Sequence, residues 1–325
     1  MEDEHRYAEP LRSMSIGRSS FASAAVLVAV LVPVLTFASG CGSYQPPTTP
    51  FPHAAARAED WASVLHRPAR VTLDTWETGR VRVTRKDVLD MSDPLARSTF
   101  ADGELYVPVF AHLLRHDERG AFLIDAGLDR SFASDTSGDM RGLFAGRFHA
   151  VQRPGEDAVS RLHAEHVTPR GIFFTHLHPD HVSGAMWLPR DMPFVVGRGE
   201  RPTSYGFLFF EDALHAVPAL EEIDFTNVPA MPPLGPSLDV FGDGSVWAVA
   251  TPGHTVGHLA FVVVTKRGPV LLTGDVSHTR WGFEHGVIPG GFNDGDPKDS
   301  RRSLEQVIAF KKAFPEVKVV FGHEL

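Results

Sequence analysis

The segment Thr175-His176-Leu177-His178-Pro179-Asp180-His181 places three imidazoles and one carboxylate within six positions, directly after the apolar stretch 171–174. The His-x-His alternation directs two rings to the same side of an extended segment, and Asp180 and His181 follow where the chain is expected to turn. Nitrogen and oxygen donors at this density, at the end of a buried strand, are typical of a metal site. Imidazole with carboxylate suits zinc, and also iron, cobalt or manganese.

Three further candidate ligands each follow a predicted strand and lie beside a glycine. They are His254 in Pro252-Gly253-His254, Asp275 after Gly274, and His323 after Gly322. Glycine lets backbone segments approach closely, so ligands on such loops can converge on one edge of a sheet sandwich. A structural zinc site is usually four-coordinate and does not need seven donors, which favours a catalytic centre over a structural one.

The composition indicates a globular protein without a nucleic-acid partner. The chain has 325 residues and a net charge of -9, and its basic residues are scattered rather than clustered. Its length fits one large domain with a tail better than two small domains. Cys41 is the single cysteine, so the chain forms no intramolecular disulfide.

The amino-terminal region has the pattern of an export signal. An apolar, small-residue-rich segment, 21–37, follows Arg18 and ends in Ala38-Ser39-Gly40-Cys41. This pattern predicts a signal peptide over 1–41 whose end resembles a bacterial lipobox, and hence an exported lipoprotein that faces the periplasm or the cell surface. A retained membrane anchor and a simple secretory signal are the alternatives. Residues 42–56 are predicted to be a proline-rich tether, and residues 57–325 the globular domain.

The hydrophobic pattern predicts a layered fold. Strands are expected at 70–76, 79–84, 105–114, 121–125, 193–197, 245–250, 259–264, 270–273 and 318–321, and helices at 157–166 and 300–314. Strands in two blocks, each with helices near its end, favour a layered α/β (α+β) sandwich over a doubly wound sheet.

Residues 198–236 show no periodicity and are a candidate active-site cover or insertion. Within them, Phe207-Leu208-Phe209-Phe210 could form the wall of an acyl pocket or a packed loop. Four other apolar residues near the predicted site are candidates for pocket lining or for core packing: Met186, Trp187, Trp281 and Phe283.

The order and spacing of the donors, with the early strand-turn Asp125-Ala-Gly, resemble the metallo-β-lactamase fold superfamily over roughly residues 57–325. The resemblance implies an αββα sandwich that binds two divalent metal ions, most simply zinc. His176, His178 and His254 would bind the first ion, and Asp180, His181 and His323 the second, with Asp275 bridging both. It also implies that a metal-bridging hydroxide attacks a carbonyl carbon and that Asp180 helps to orient it. Because β-lactamases of this fold generally lack the bridging aspartate, Asp275 argues against antibiotic hydrolysis.

Within the superfamily the carboxy-terminal third looks most like the quorum-quenching N-acyl homoserine lactonases. The matching pieces are Gly253-His-Thr-Val-Gly-His258, Asp275-Val-Ser-His278 and Val320-Phe-Gly-His323. Those lactonases have a tyrosine three residues after the bridging aspartate, where this chain has His278. We expect His278 to protonate the leaving oxygen and His258 to support the His254 loop by hydrogen bonding.

The expected function is therefore hydrolysis of a lactone or related ester. A glyoxalase II-like thioesterase or another hydrolase of the superfamily is the alternative, and a phosphodiesterase is disfavoured because no basic cluster is available to meet phosphate. The non-enzymatic alternative is a metal-binding envelope lipoprotein without turnover.

Overall fold

The computed structural model describes residues 45–53, 59–202, 212–215, 217–291 and 294–325. The predicted signal peptide and Cys41 lie outside the described residues, as does the segment Phe207-Leu208-Phe209-Phe210. Among the described ranges, no helix combines the length and the apolar character needed to cross a bilayer.

Thirteen strands and seven α-helices form the described chain. The strands are β1 (Thr48–Pro50), β2 (Val71–Thr84), β3 (Glu104–His116), β4 (Gly120–Ile124), β5 (Ala150–Val151), β6 (Pro169–Phe173), β7 (Phe194–Gly197), β8 (Leu220–Ile223), β9 (Ser237–Asp239), β10 (Val246–Ala250), β11 (Leu259–Thr265), β12 (Gly268–Leu272) and β13 (Lys318–Val320). The helices are α1 (Trp61–Leu65), α2 (Arg85–Val88), α3 (Pro94–Thr99), α4 (Ala158–Ala164), α5 (Pro179–Val182), α6 (Arg280–His285) and α7 (Pro297–Ala313).

The strands form two sheets that meet at one edge. The first has the order β1-β8-β7-β6-β4-β3-β2, with β5 on the far end of β2, and the second has the order β9-β10-β11-β12-β13. Their only strand pairing joins Thr265 of β11 to Val71 of β2 in the described chain. The two blocks of strands predicted from the sequence therefore correspond to the two sheets.

Side-chain alternation on the central strands produces the layers. On β11, Phe261 and Val263 pack between the two sheets, whereas Ala260 and Val262 pack outward with α7. On β6, Phe173 faces the other sheet and Ile172 packs with α4. Because each sheet is apolar on both faces, each needs a second sheet on one side and helices on the other. This αββα arrangement confirms the predicted fold class.

Strand β2 differs from the prediction of two separate strands. It runs continuously from Val71 to Thr84, and its pairing with β3 shifts register between Glu77 and Gly79. Gly79 has φ +139°, and a Cβ there would lie 2.8 Å from the carbonyl oxygen of Val151. The predicted boundary between the strands 70–76 and 79–84 is therefore a β-bulge inside one strand.

The predicted boundaries also change at two places. Part of the proline-rich tether forms β1, which pairs in parallel with β8, so the globular domain begins before residue 57. Pro50 is compatible with this pairing because β1 lies at the edge of the sheet. The aperiodic stretch 198–236 contains β8, a strand of the first sheet, so this part of it is not an insertion.

Candidate metal centre

All seven side chains predicted to bind metal converge at one edge of the two sheets. His176 and His178 follow β6, and Asp180 and His181 lie in the first turn of α5. His254 lies in the loop between β10 and β11, Asp275 in a 3-10 turn after β12, and His323 directly after β13. Each sheet thus contributes ligand-bearing loops to the same place.

Local sequence determines how these loops reach the site. Pro179 occupies the first position of α5, where its fixed φ starts the helix at once and turns Asp180 and His181 back toward the β6 edge. Gly322 passes so close to the site that a Cβ there would lie 2.1 Å from Asp275 Oδ1. A side chain at this position would therefore displace the carboxylate.

The first donor group consists of His176, His178, His254 and Asp275, all buried. His254 Nε2 lies 3.0 Å from His178 Nδ1 and 3.4 Å from Asp275 Oδ2. His176 Nε2 lies 3.7 Å from the same carboxylate oxygen. His178 Nε2 faces Asp294 Oδ2 at 3.3 Å, so its Nδ1 is the atom directed into the group.

The second donor group consists of Asp180, His181 and His323. His323 Nε2 lies 3.6 Å from Asp180 Oδ2, and His181 Nε2 lies 3.9 Å from the same oxygen. Asp275 also contacts this group, through Oδ1 at 3.5 Å from His181 Nε2 and through Oδ2 at 3.5 Å from His323 Nε2. Asp275 therefore belongs to the first group and also reaches two members of the second through its carboxylate oxygens.

The donors fit bound divalent ions. With metal–ligand distances near 2.0–2.2 Å, neighbouring ligands of one ion lie about 3–3.6 Å apart, close to most separations in the cluster. Among the described residues, His176 Nε2, His181 Nε2 and Asp275 Oδ1 are buried without a hydrogen-bond partner. Buried polar atoms normally have a partner, and a cation would supply one to all three. Neutral imidazoles and carboxylates suit zinc, and also iron, cobalt and manganese.

The electrostatics of the cluster also favour cations. Burial holds the pKa of His176 and His254 well below the usual range, so both imidazoles are neutral and able to ligate. Burial opposes ionisation of Asp275, but His278, His181 and His323 outweigh it and hold its pKa well below normal. Burial likewise opposes a charge on His181, but Asp275, Asp125 and Asp180 raise its pKa well above normal. Without a metal ion, the His181 imidazole would therefore be protonated beside these carboxylates. A metal cation would supply the same positive charge.

Asp125 orients one of the predicted ligands, a role that its place in the early strand-turn did not predict. Its Oδ2 accepts a hydrogen bond from His181 Nδ1 at 2.8 Å, and its Oδ1 accepts one from the Thr175 backbone N–H at 2.7 Å. Asp125 has φ +57°, in the left-handed region that aspartate tolerates better than most residues. The bond to Nδ1 leaves Nε2 of His181 to face the donor group, as is usual for metal-binding histidines.

His258 supports the His254 loop by hydrogen bonding, as predicted, and it also acts on a second loop. Its Nδ1 lies 2.8 Å from Thr251 Oγ1, at the other end of the loop that carries His254, and its Nε2 accepts from the Asp275 backbone N–H at 3.0 Å. Burial lowers the pKa of His258 to about 3, so the neutral ring can act as the acceptor. His258 therefore closes the His254 loop and fixes the backbone of the bridging candidate.

Glu200 joins two ligand loops, a role that the sequence alone does not reveal. Its Oε1 accepts from the Leu177 N–H at 3.0 Å, between the two histidines of the His-x-His pair. Its Oε2 accepts from Thr255 Oγ1 at 2.7 Å and from the Gly257 N–H at 3.0 Å, in the loop that carries His254. Burial raises the pKa of Glu200 although these hydrogen bonds oppose the shift. A lone acid after a strand gives no sequence signal, because its partners come from segments far apart in the chain.

Substituting Glu200→Gln is expected to loosen the first donor group. Glutamine has the size of glutamate, but its N–H₂ group cannot accept a hydrogen bond. It would face one of the N–H or O–H groups that now donate to Glu200. We expect a loss of about 1–3 kcal/mol in the free energy of unfolding and a 10–100-fold loss in metal affinity. Denaturant unfolding and metal titration of Glu200→Gln measure both. Glu221→Gln on neighbouring β8 is the matched control, and equal behaviour of the two variants would contradict this role.

An apolar cavity of about 370 Å³ opens onto the cluster. His178, Asp180, His254, Asp275, His278 and His323 line its polar end. Its apolar wall comes from β2, β3, α2 and the segment 144–148: Val81, Val83, Val88, Val107, Phe144 and Phe148. These residues were not predicted from the sequence, because valines on a strand give the same pattern whether they face a core or a pocket.

The four aromatic and methionine candidates near the site do not line this cavity. Met186 and Phe283 pack into the two outer hydrophobic clusters. Trp187 is 47% exposed, and Trp281 stacks on His285 with ring centroids 4.3 Å apart. The described lining also contains no residue from the stretch 198–236. For these four residues, packing or surface exposure is therefore the correct interpretation.

Comparisons with known proteins agree with this geometry. The pattern of the Metallo-beta-lactamase superfamily matches residues 106–323, which include all seven candidate ligands. An N-acyl homoserine lactonase from Bacillus sp is 32% identical over 234 residues, 70% of this chain and 86% of the relative. The N-acyl homoserine lactonase AttM of Azorhizobium caulinodans is 29% identical, over 69% of this chain and 84% of the relative. A solved N-acyl homoserine lactone hydrolase, with the product N-hexanoyl-L-homoserine bound at its catalytic metal centre, is 25% identical and has a TM-score of 0.56, over 78% of this chain and 93% of that one.

Proposed function

Because this chain belongs to the metallo-β-lactamase superfamily and is a metal-dependent hydrolase, we propose that it binds two zinc ions and opens the ring of N-acyl homoserine lactones. The observation that carries the proposal is Asp275, which reaches both donor groups at the polar end of an apolar cavity. A bridging carboxylate suits a two-ion hydrolytic site, and the cavity suits a substrate with an acyl chain. The relatives that are named as lactonases support the same substrate class.

Each side chain has a proposed task in ring opening. His176, His178 and His254 would hold the first ion, Asp180, His181 and His323 would hold the second, and Asp275 would hold both. When bound, the two ions would supply a hydroxide at neutral pH and polarise the lactone carbonyl. Asp180 lines the cavity and its side chain is 16% exposed, so its carboxylate can orient the attacking water and accept a proton from it. The same carboxylate can return that proton to the ring oxygen when the ester C–O bond breaks.

The apolar wall is proposed to bind the acyl chain. Phe144 lies at the open side of the cavity, 37% exposed, and the guanidinium carbon of Arg147 lies 4.2 Å from the centre of its ring. An acyl chain bound in this cavity would contact valines such as Val83 and Val107 as well as this ring. Specificity for acyl length would then depend on how many methylenes contact the wall.

We expect Phe144→Ala to weaken the preference for long acyl chains. A buried methylene contributes about 0.8 kcal/mol, so each methylene that loses its contact lowers kcat/KM by about fourfold. Short acyl chains should be hydrolysed as in the wild type. The measurement is kcat/KM across an acyl-length series. Leu143→Ala is the control, because Leu143 is 70% exposed and is not among the described cavity residues, and an unchanged length profile in Phe144→Ala would rule out the acyl wall.

The proposed function is tested by acid release from a substrate panel with the full chain loaded with zinc. The panel contains N-acyl homoserine lactones, hydroxyacylglutathione thioesters and phosphodiesters, each compared with chelated protein. The proposal predicts metal-dependent ring opening that exceeds turnover of the other two classes. Faster thioester turnover would favour the glyoxalase II-like alternative. An absence of turnover with both ions bound would favour a metal-binding envelope protein.

We further propose that the chain is exported and anchored to a membrane by lipid on Cys41, on the basis of the sequence pattern that ends there. The substitution Cys41→Ser is expected to move the protein from the membrane fraction to the soluble fraction of the producing bacterium. Fractionation and mass spectrometry of the mature amino terminus measure the outcome. Equal membrane association of both forms, without a lipid adduct on the wild type, would contradict the anchor.

A further inference from the structure

We infer that His278 is a ligand of the second metal ion, in addition to the seven residues considered above. This inference rests on the proposed two-ion centre but not on the lactone substrate. His278 Nε2, Asp275 and His323 form a third group of donor atoms within 4.8 Å of one another. The residue is 7% exposed and lines the polar end of the cavity.

Hydrogen bonding determines which nitrogen of His278 faces the cluster. Its Nδ1 lies 3.2 Å from the backbone carbonyl oxygen of Val88, and a carbonyl can only accept a hydrogen bond. Nδ1 therefore carries a proton, and Nε2 is the nitrogen that faces the cluster. Nε2 lies 3.0 Å from Asp275 Oδ2. A metal ion bound by both atoms would take the place of the proton that joins them when no metal is present.

The distance itself suits ligands of one ion. Zinc–nitrogen and zinc–oxygen bonds near 2.0–2.2 Å, at right angles to each other, place the two donor atoms about 3.0 Å apart. By this measure His278 lies closer to Asp275 than the predicted ligand His323, whose Nε2 is 3.5 Å from the same oxygen. His278 thus meets the geometric requirement that the predicted ligands meet.

His278 is also built into the fold in the same way as His323. His323 Nδ1 lies 2.9 Å from the carbonyl oxygen of Pro108, which leaves its Nε2 to face the cluster. The two loops run side by side, because the His323 N–H donates to the His278 carbonyl at 3.0 Å and the Gly322 N–H donates to the Ser277 carbonyl at 3.1 Å. The two rings lie with centroids 4.9 Å apart. In metal-binding histidines the ring nitrogen that does not bind metal usually donates such a hydrogen bond. The shared Nδ1–carbonyl bond therefore indicates that His278 binds metal as His323 is predicted to do.

This assignment replaces the proton-donor role expected from the sequence. A His278 whose Nε2 binds metal has no proton to give from that nitrogen, which is the one that faces the cluster. The resemblance to lactonases that have tyrosine at this position therefore does not extend to the chemistry of the side chain. The leaving oxygen must obtain its proton elsewhere, and Asp180, which lines the cavity beside His178, can supply it.

The test measures metal binding without any substrate. Metal-free full-length wild type, His278→Ala and His285→Ala are titrated with Co²⁺, and the visible absorption of each bound ion is recorded. His285→Ala is the matched control because this histidine lies in α6 with its Nδ1 on the Trp281 carbonyl, outside all three donor groups. We expect His278→Ala to bind the second equivalent at least about 10-fold more weakly, with an altered cobalt spectrum, and the control to behave as wild type.

A second measurement separates ligation from a general loss of structure. Free imidazole added to cobalt-loaded His278→Ala should restore the wild-type spectrum, because it can fill the space that the side chain leaves and donate the missing nitrogen. His278→Tyr should bind the second ion more weakly than wild type, since its neutral phenol is a poor substitute for imidazole. Unchanged affinity and an unchanged spectrum in His278→Ala would overturn the inference. So would a spectrum that is altered but does not respond to imidazole. Neither result depends on whether lactones are hydrolysed.

Discussion

Replacing Asp275 with asparagine is expected to stop hydrolysis and to remove the second metal ion. The carboxylate lies within 3.7 Å of nitrogens from His176, His181, His254, His278 and His323. Asparagine has the same shape, but it removes the negative charge that holds two dications together and offers only one oxygen. Substitutions of residues that only hydrogen-bond to metal ligands typically lower metal affinity or activity by about 10–100-fold. For the ligand Asp275 itself we therefore expect kcat/KM to fall by more than about 100-fold.

The measurement for Asp275→Asn is kcat/KM together with the metal content of the purified protein. Asp243→Asn is the matched control, because Asp243 also binds a histidine, His116, at 2.7 Å but lies outside the described donor groups. The control should keep two ions and full activity. If Asp275→Asn also kept both, the two donor groups would not share a bridging ligand and the proposed mechanism would fail.

Removal of the metal ions is expected to abolish turnover and to lower the melting temperature. Chelation removes the cations that balance the negative charge of Asp275 and that bind the surrounding buried imidazoles. An ion present at 1,000 times its dissociation constant stabilises the folded state by about 4 kcal/mol, so two such ions contribute a large share of the stability of a domain. Thermal unfolding with and without chelator measures the change, and added zinc should restore both stability and activity.

Two outcomes would contradict this expectation. Full activity in protein shown to be free of metal would exclude a metal-dependent reaction. An unchanged melting temperature, with turnover lost and then restored by zinc, would mean that the ions bind too weakly or too superficially to be held by the buried cluster. A full return of activity with one equivalent of zinc would indicate a mononuclear enzyme.

The ligand loops could be predicted from the sequence because their signal is local. Three histidines and an aspartate within six positions point strongly to a metal site, and each later donor follows a short apolar strand and a glycine. The layered fold could also be predicted, because strands such as β11 are apolar on both faces and must be covered on both. The structure brings all seven predicted ligands together.

The residues that could not be predicted act through contacts between distant segments. Glu200 joins Leu177 to Thr255 and Gly257, and Asp125 joins the end of β4 to His181, so neither role shows in a local pattern. The cavity wall could not be predicted for the same reason. Val81 and Val107 belong to regular strands, and they line a cavity because the distant segment 144–148 lies beside them. The predicted division of β2 into two strands is wrong because Gly79 forms a bulge against β3, a partner strand that is not visible in the local sequence.

The most direct test of the two-zinc lactonase proposal is a titration of metal-free protein with zinc, in which N-acyl homoserine lactone opening and bound zinc are measured on the same samples. We predict that ring opening rises to a plateau at two zinc ions per chain, with little activity from the first. A plateau at one ion would contradict the role of Asp275 as a bridge between two sites. An absence of ring opening at two bound ions would contradict the lactone substrate.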